Sequence, residues 1–150
     1  MSSTVPMLTE EILNDVLVRL HRSLLQYVGE CGPWADGSAA AEQEAVSNLV
    51  QIRHLHVGEL VELMTARGAI IDFGAFPTEF TDLHFVSLDY LLGVIVAEQK
   101  KIISELESAV GNVSGDAEAT GLLNRILVDE RANLAKLQSL AGQPRQLLAH

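Results

Sequence analysis

One cysteine, Cys31, is all the thiol chemistry this 150-residue chain has. Neither an intrachain disulfide nor a Cys-based zinc site can form, and a reduced thiol without assigned function is the expectation. No uncharged apolar run reaches about 18 residues, which argues against a membrane-spanning helix. Basic residues are scarce: ten Lys and Arg against twenty Asp and Glu give a net charge of -10. They form no basic stripe, so the surface repels phosphate backbones and nucleic acid is not an expected partner. Met1 to Pro6 show neither a basic stretch nor an apolar one; no secretory leader is expected, and the cytoplasm is the expected compartment. Catalytic signatures are missing too. Ser23 near His21 lacks a nucleophile elbow or oxyanion motif, and no glycine-rich phosphate loop follows a strand.

What the chain does have is apolar residues at helical spacing, 48% of the whole. Its length suits a single domain, residues 1–150, with one sizeable core. From Leu8 to Cys31, the residues Leu13, Val16, Leu17, Leu20, Leu24, Tyr27, Val28 and Cys31 recur in steps of three and four and predict one amphipathic helix. Gly32 and Pro33 end it, and Ser38 is placed to cap the next. A second helix is predicted from about Ala39 to Arg67, with Gly68 as its stop. A third is predicted near Glu79 to Val110, broken by Gly111 to Gly115, and a fourth from about Asp116 to Leu140, closed by Gly142 and Pro144. Between the second and third lies Ala69-Ile70-Ile71-Asp72-Phe73-Gly74-Ala75-Phe76-Pro77, apolar and β-branched without helical period. It reads as an extended strap; thirteen such residues span roughly 40 Å, about the length of a 27-residue helix.

At about 100° per residue, several polar side chains fall inside the apolar stripes. On the second helix these are Arg53 and, at the edge, His56; on the third, His84 and Gln99, with Glu98 at the rim; on the fourth, Glu130 and Asn133. Tyr27 faces inward on the first helix and His21 sits at its rim.

Four long helices, two short connections and one long central crossover resemble the ferritin-like superfamily. The resemblance implies an all-α, ferritin-like four-helix bundle with the long crossover between helices 2 and 3. It also implies a metal pair held by one Glu from each of two helices and a Glu-x-x-His pair from each of the other two. Here that pattern is degenerate: Arg53-His54-Leu55-His56 has Arg in the Glu place, and Glu130-Arg131-Ala132-Asn133 has Asn in the His place. A di-iron pair needs hard anionic ligands, and an inward guanidinium repels it. A buried Arg53–Glu130 ion pair, supplemented by Gln99, His56, Asn133 or Tyr27, is therefore expected where metals would lie, with no cofactor bound.

The alternative uses imidazoles. His21, His54, His56 and His84, with Glu59, Asp89 or Glu130, would hold one iron or zinc ion in a ferritin-like or hemerythrin-like oxidoreductase or storage relative. The five-residue spacing of His84 and Asp89 resembles hemerythrin-like bundles, whereas their His-rich repeats are missing. His54 and His56 diverge on a helix and do not grip one ion together. Val18, Leu25, Leu55, Val86 and Tyr90 fall outside the core stripes, and a homodimer is the expected use of them. Two function classes follow: a metal-free binding or structural module, and a mononuclear metal protein.

Overall fold

The computed structural model describes residues 8–31, 40–80 and 88–142. Every regular element among them is helical: α1 (Thr9–His21), α2 (Leu24–Cys31), α3 (Ala40–Ala66), α4 (Leu88–Asn112) and α5 (Ala117–Gly142). None of these helices is long and apolar enough to cross a membrane.

The first predicted helix is two helices, with a break at Arg22 and Ser23. Arg22 closes α1 by donating its N–H to Val18 O at 2.9 Å. Ser23 Oγ then accepts the N–H of Gln26 at 3.3 Å, and Glu98 Oε1 accepts the N–H of Leu24 at 2.8 Å, so the start of α2 is satisfied from two sides. The break re-aims α2. Leu25, which a straight helix turns outward, is buried instead.

Charge pairs set the register of the other helices. Arg53 with Glu130, Glu59 with Arg125 and Arg67 with Asp116 run in opposite order along α3 and α5, which are therefore antiparallel. Arg67 also lies 3.9 Å from Glu10, bringing the end of α3 beside the start of α1. Helix α1 packs on α3 and α4, α2 on α3 and α4, and α5 on α4 and α3.

Gly68, at φ +68°, terminates α3, with the N–H of Ala69 donating to Met64 O at 3.0 Å. The chain then returns along α1 and α2 in their own direction. Asn14 exchanges two hydrogen bonds with the backbone of Asp72, at 2.9 and 3.1 Å. Arg22 Nε donates to the carbonyls of Phe73 and Gly74, and its guanidinium lies 4.9 Å from the Phe76 ring centre. Gly74 takes φ +66° against Val18, where a Cβ would meet Cγ1 at 2.7 Å; only glycine fits both demands. Tyr27 closes this seam against Phe76 and Phe80, with ring centres 5.2 and 5.4 Å away.

Helix boundaries differ from the sequence reading in two places. Glu79 and Phe80 belong to a short 3₁₀ turn over residues 78–80, and the described part of α4 begins at Leu88. At its far end α4 continues through Gly111 to Asn112, since a helical glycine costs only about 1 kcal/mol and the next residue, Val113, is buried.

The core is in two parts. One apolar cluster gathers residues 12–20 of the α1 side, Val57 to Met64 of α3, Ile102 to Val113 on the α4 side, and Ala119 to Leu127 of α5. The other gathers Leu24 to Val28 of α2, Val46 to Val50 of α3, Leu91 to Ile95 of α4, and Leu137 of α5. Between the two clusters, the buried positions on each helix are polar.

Candidate functional site

Those polar positions meet in one layer across the middle of the molecule. Ser23 precedes α2, Arg53 and His56 come from α3, Gln99 from α4, and Glu130 and Asn133 from α5; all six are buried. Helical periodicity places the five on α3, α4 and α5 within an apolar stripe or at its edge, so packing the stripes drives them together.

Glu130 is the hub. Its Oε1 accepts from Arg53 Nη2 at 2.5 Å, Gln99 Nε2 at 2.8 Å and Asn133 Nδ2 at 3.2 Å. Its Oε2 accepts from Arg53 Nε at 3.3 Å and His56 Nδ1 at 2.9 Å. Gln99 Nε2 also reaches the Glu130 carbonyl at 2.9 Å, and Gln99 Oε1 accepts from Arg53 Nη2 at 2.5 Å. The remaining guanidinium nitrogen, Nη1, donates to Ser23 Oγ at 3.0 Å, while that hydroxyl donates to Leu20 O at 2.9 Å. The oxygen that caps α2 thus also holds Arg53.

His56 connects this interior to the surface. Its Nε2 lies 2.9 Å from Oδ2 of Asp129, a side chain 55% exposed. Both ring nitrogens face carboxylate oxygens, an arrangement that favours the doubly protonated imidazolium. Burial lowers the His56 pKa, but the hydrogen bonds and charges of Glu130 and Asp129 outweigh it and raise the value above 6.5. Burial pushes the Glu130 carboxyl up; the Arg53 charge and donors from His56, Arg53 and Gln99 overcome this and hold it well below the usual carboxylate range. Glu98, beside the start of α2, is raised by burial, which the Leu24 N–H only partly opposes. Two cations, Arg53 and His56, balance two anions, Glu130 and Asp129.

The other sequence candidates lie apart. Tyr27 belongs to the second apolar cluster against Phe76 and Phe80. His21 is half-buried with its ring edge-on to Phe73, at 5.8 Å between centres. His84 and Val86 lie outside the described residues. Of the residues expected at a dimer interface, Leu55 and Tyr90 are exposed, Val18 packs partly into the core and Leu25 is buried.

A metal does not fit these donors. A carboxylate has about four lone-pair sites, and the five donors around Glu130 occupy them with two cations already in place. His56 presents no free ring nitrogen. Among the described residues, no group of three His, Cys, Asp or Glu side chains is placed to hold an ion.

Three participants were not expected from the sequence. Ser23 and Gln26 carried a signal, because Ser23-Leu24-Leu25-Gln26 has the Ser-x-x-Gln spacing of a helix start. Gln26 is fully buried, with Nε2 3.4 Å from His54 Nε2. Asp129 carried none; it is an exposed acid among many until α3 brings His56 to it.

No protein-family model matches the chain, and comparison with curated proteins returns no match.

Proposed function

We propose that this protein is a ferritin-like four-helix bundle without a working di-iron centre, acting as a binding or structural module. In this arrangement α1 and α2 together form one corner, and α3, α4 and α5 form the others. The strap over residues 69–80, returning along α1 and α2, is the counterpart of the long crossover between the second and third corners.

The observation that carries this reading is the saturation of Glu130 by Arg53, His56, Gln99 and Asn133. Where a carboxylate protein holds metal, this chain holds a guanidinium. The layer draws one or more side chains from every corner, so a helix that slips along its axis leaves buried polar groups unpaired. Its role is to fix register, a use for which buried polar groups are well suited.

Elemental analysis of protein purified without chelator tests this, repeated on His56→Ala. The expected result is no stoichiometric iron or zinc in either protein. One metal per chain that disappears with His56 would establish the mononuclear alternative.

A further inference from the structure

We propose that the seam between α1 and α4 is a binding groove for a small amphipathic amine, with its apolar body between the helices and its ammonium group on Asp15. The proposal rests on the binding-module reading and names a ligand class for that module, at a site apart from the polar layer. The groove measures about 230 Å³ and lies against the first apolar cluster. Its floor is Ile12, Val16 and Leu20 of α1 facing Ile102, Leu106 and Ala109 of α4. Steps of three and four line these side chains up as two ridges. Ala109 offers only a methyl group where Ile102 and Leu106 offer branched four-carbon chains, so the ridges leave space between them. Ile12, Val16 and Ala109 each keep 7% exposure, at the bottom of the groove. An apolar cavity of about 150 Å³ takes up benzene, so this groove, open along one side, has room for a body of about six carbons and a polar head at its mouth.

Charge at the rim selects the head group. Arg19 of α1 and Glu105 of α4 pair across the mouth, with Nε 2.9 Å from Oε2, and neutralise one another. Asp15, one turn before Arg19, is exposed and makes no ion pair among the described residues. The other polar rim residues, Ser108 and Asn112, are uncharged, so the rim carries an unbalanced negative charge. A primary alkylammonium, like the lysine side chain, is charged at neutral pH. Its cation meets Asp15 while its alkyl chain displaces water from the ridges. A carboxylate in the same place meets Asp15 and Glu105 instead, on a chain of net charge -10, and Arg19 is already engaged. The rim therefore favours an amine over a fatty acid or an anionic lipid surface.

Calorimetric titration of the full chain with n-hexylamine at neutral pH tests this, with n-hexanol and hexanoate as the neutral and anionic comparisons. One saturable site is expected, with a Kd of about 1 mM or tighter. Hexanol should bind about two- to five-fold more weakly, and hexanoate more weakly again. Asp15→Asn should bring hexylamine to the level of hexanol and leave hexanol unchanged. Ala109→Phe fills the groove and should abolish binding of both. Ser108→Phe, at an exposed rim position, covers the groove from outside and decides the matter should Ala109→Phe misfold. No saturable binding of hexylamine, binding that survives both phenylalanine variants, or hexanoate as tight as hexylamine overturns the proposal. A wild-type dimer in sedimentation that Ser108→Phe makes monomeric assigns the groove to a second copy and overturns it as well. Metal content is read separately: hexylamine binding with stoichiometric iron removes the metal-free reading and leaves the groove, and metal-free protein that ignores hexylamine does the reverse.

Discussion

Arg53 grips Glu130 with two nitrogens, Nε at 3.3 Å and Nη2 at 2.5 Å, and both side chains are wholly shielded from solvent. The pair sits where the two halves of the apolar core divide, so its charges have only each other and the neighbouring amides, hydroxyl and imidazole for solvation.

Removing one partner strands the other. Glu130→Gln leaves Arg53 and His56 without their shared anion and is expected to cost about 3–5 kcal/mol in urea unfolding. Arg53→Met should cost a similar amount. The double variant should lose clearly less than the two single losses added together, by about 1 kcal/mol or more. Strict additivity would show that the pair is not an energetic unit.

Stability should follow pH in a way that single variants dissect. His56 has a raised folded pKa, so its contribution is fully present below 6.5 and lost as pH rises through the folded value. His56→Gln should therefore lack that alkaline loss. Glu98 is also raised and also loses stability as pH rises from 4.5, but it is common to both proteins and cancels in their difference. On the acid side Glu130, with a depressed folded pKa, contributes above 4.5 and loses that contribution as pH falls through the folded value. Chemical unfolding of both proteins across pH 4 to 9 reads the alkaline part; parallel alkaline limbs would contradict the role given to His56.

Ser23 joins the helix break to the polar layer. Ser23→Ala removes the acceptor for the Gln26 N–H and for Arg53 Nη1 together. A loss of about 1–3 kcal/mol is expected. Amide hydrogen exchange should quicken at Gln26 before the rest of α2, and unchanged protection there would argue that the hydroxyl does not cap the helix.

Asp116 does two jobs at the start of α5. Its Oδ1 accepts the Ala119 N–H at 3.1 Å and the Arg67 Nη2–H at 2.8 Å, and Oδ2 accepts from Arg67 Nη1 at 2.5 Å. Arg67 first, then the Ala119 N–H, lower its pKa from 3.8 to about 2. That contribution is present above 3.8 and lost as pH falls toward about 2. Asp116→Asn keeps a cap and should flatten this acid limb, while Asp116→Ala should cost about 1 kcal/mol more by removing the cap as well. Thermal unfolding between pH 2 and 5 separates the two.

The sequence by itself determined that the regular elements among the described residues are helices, roughly where α3 and α5 run, and which side of each helix is apolar. Those properties are periodic and local, so Arg53, Gln99, Glu130 and Asn133 could be placed within stripes before any contact was known. The tertiary structure decided what the stripes could not. The steps of three and four pass unbroken through Arg22 and Ser23, and the local cap of Ser23 on the Gln26 N–H is joined there by contacts from outside the segment, from Arg53 and Glu98. Leu25 is buried because α2 turns after that break. Asp129 matters because α3 supplies His56 opposite it. The division of the core into two clusters also exists only after packing, when the inward polar positions of α3, α4 and α5 and Ser23 before α2 come together between them.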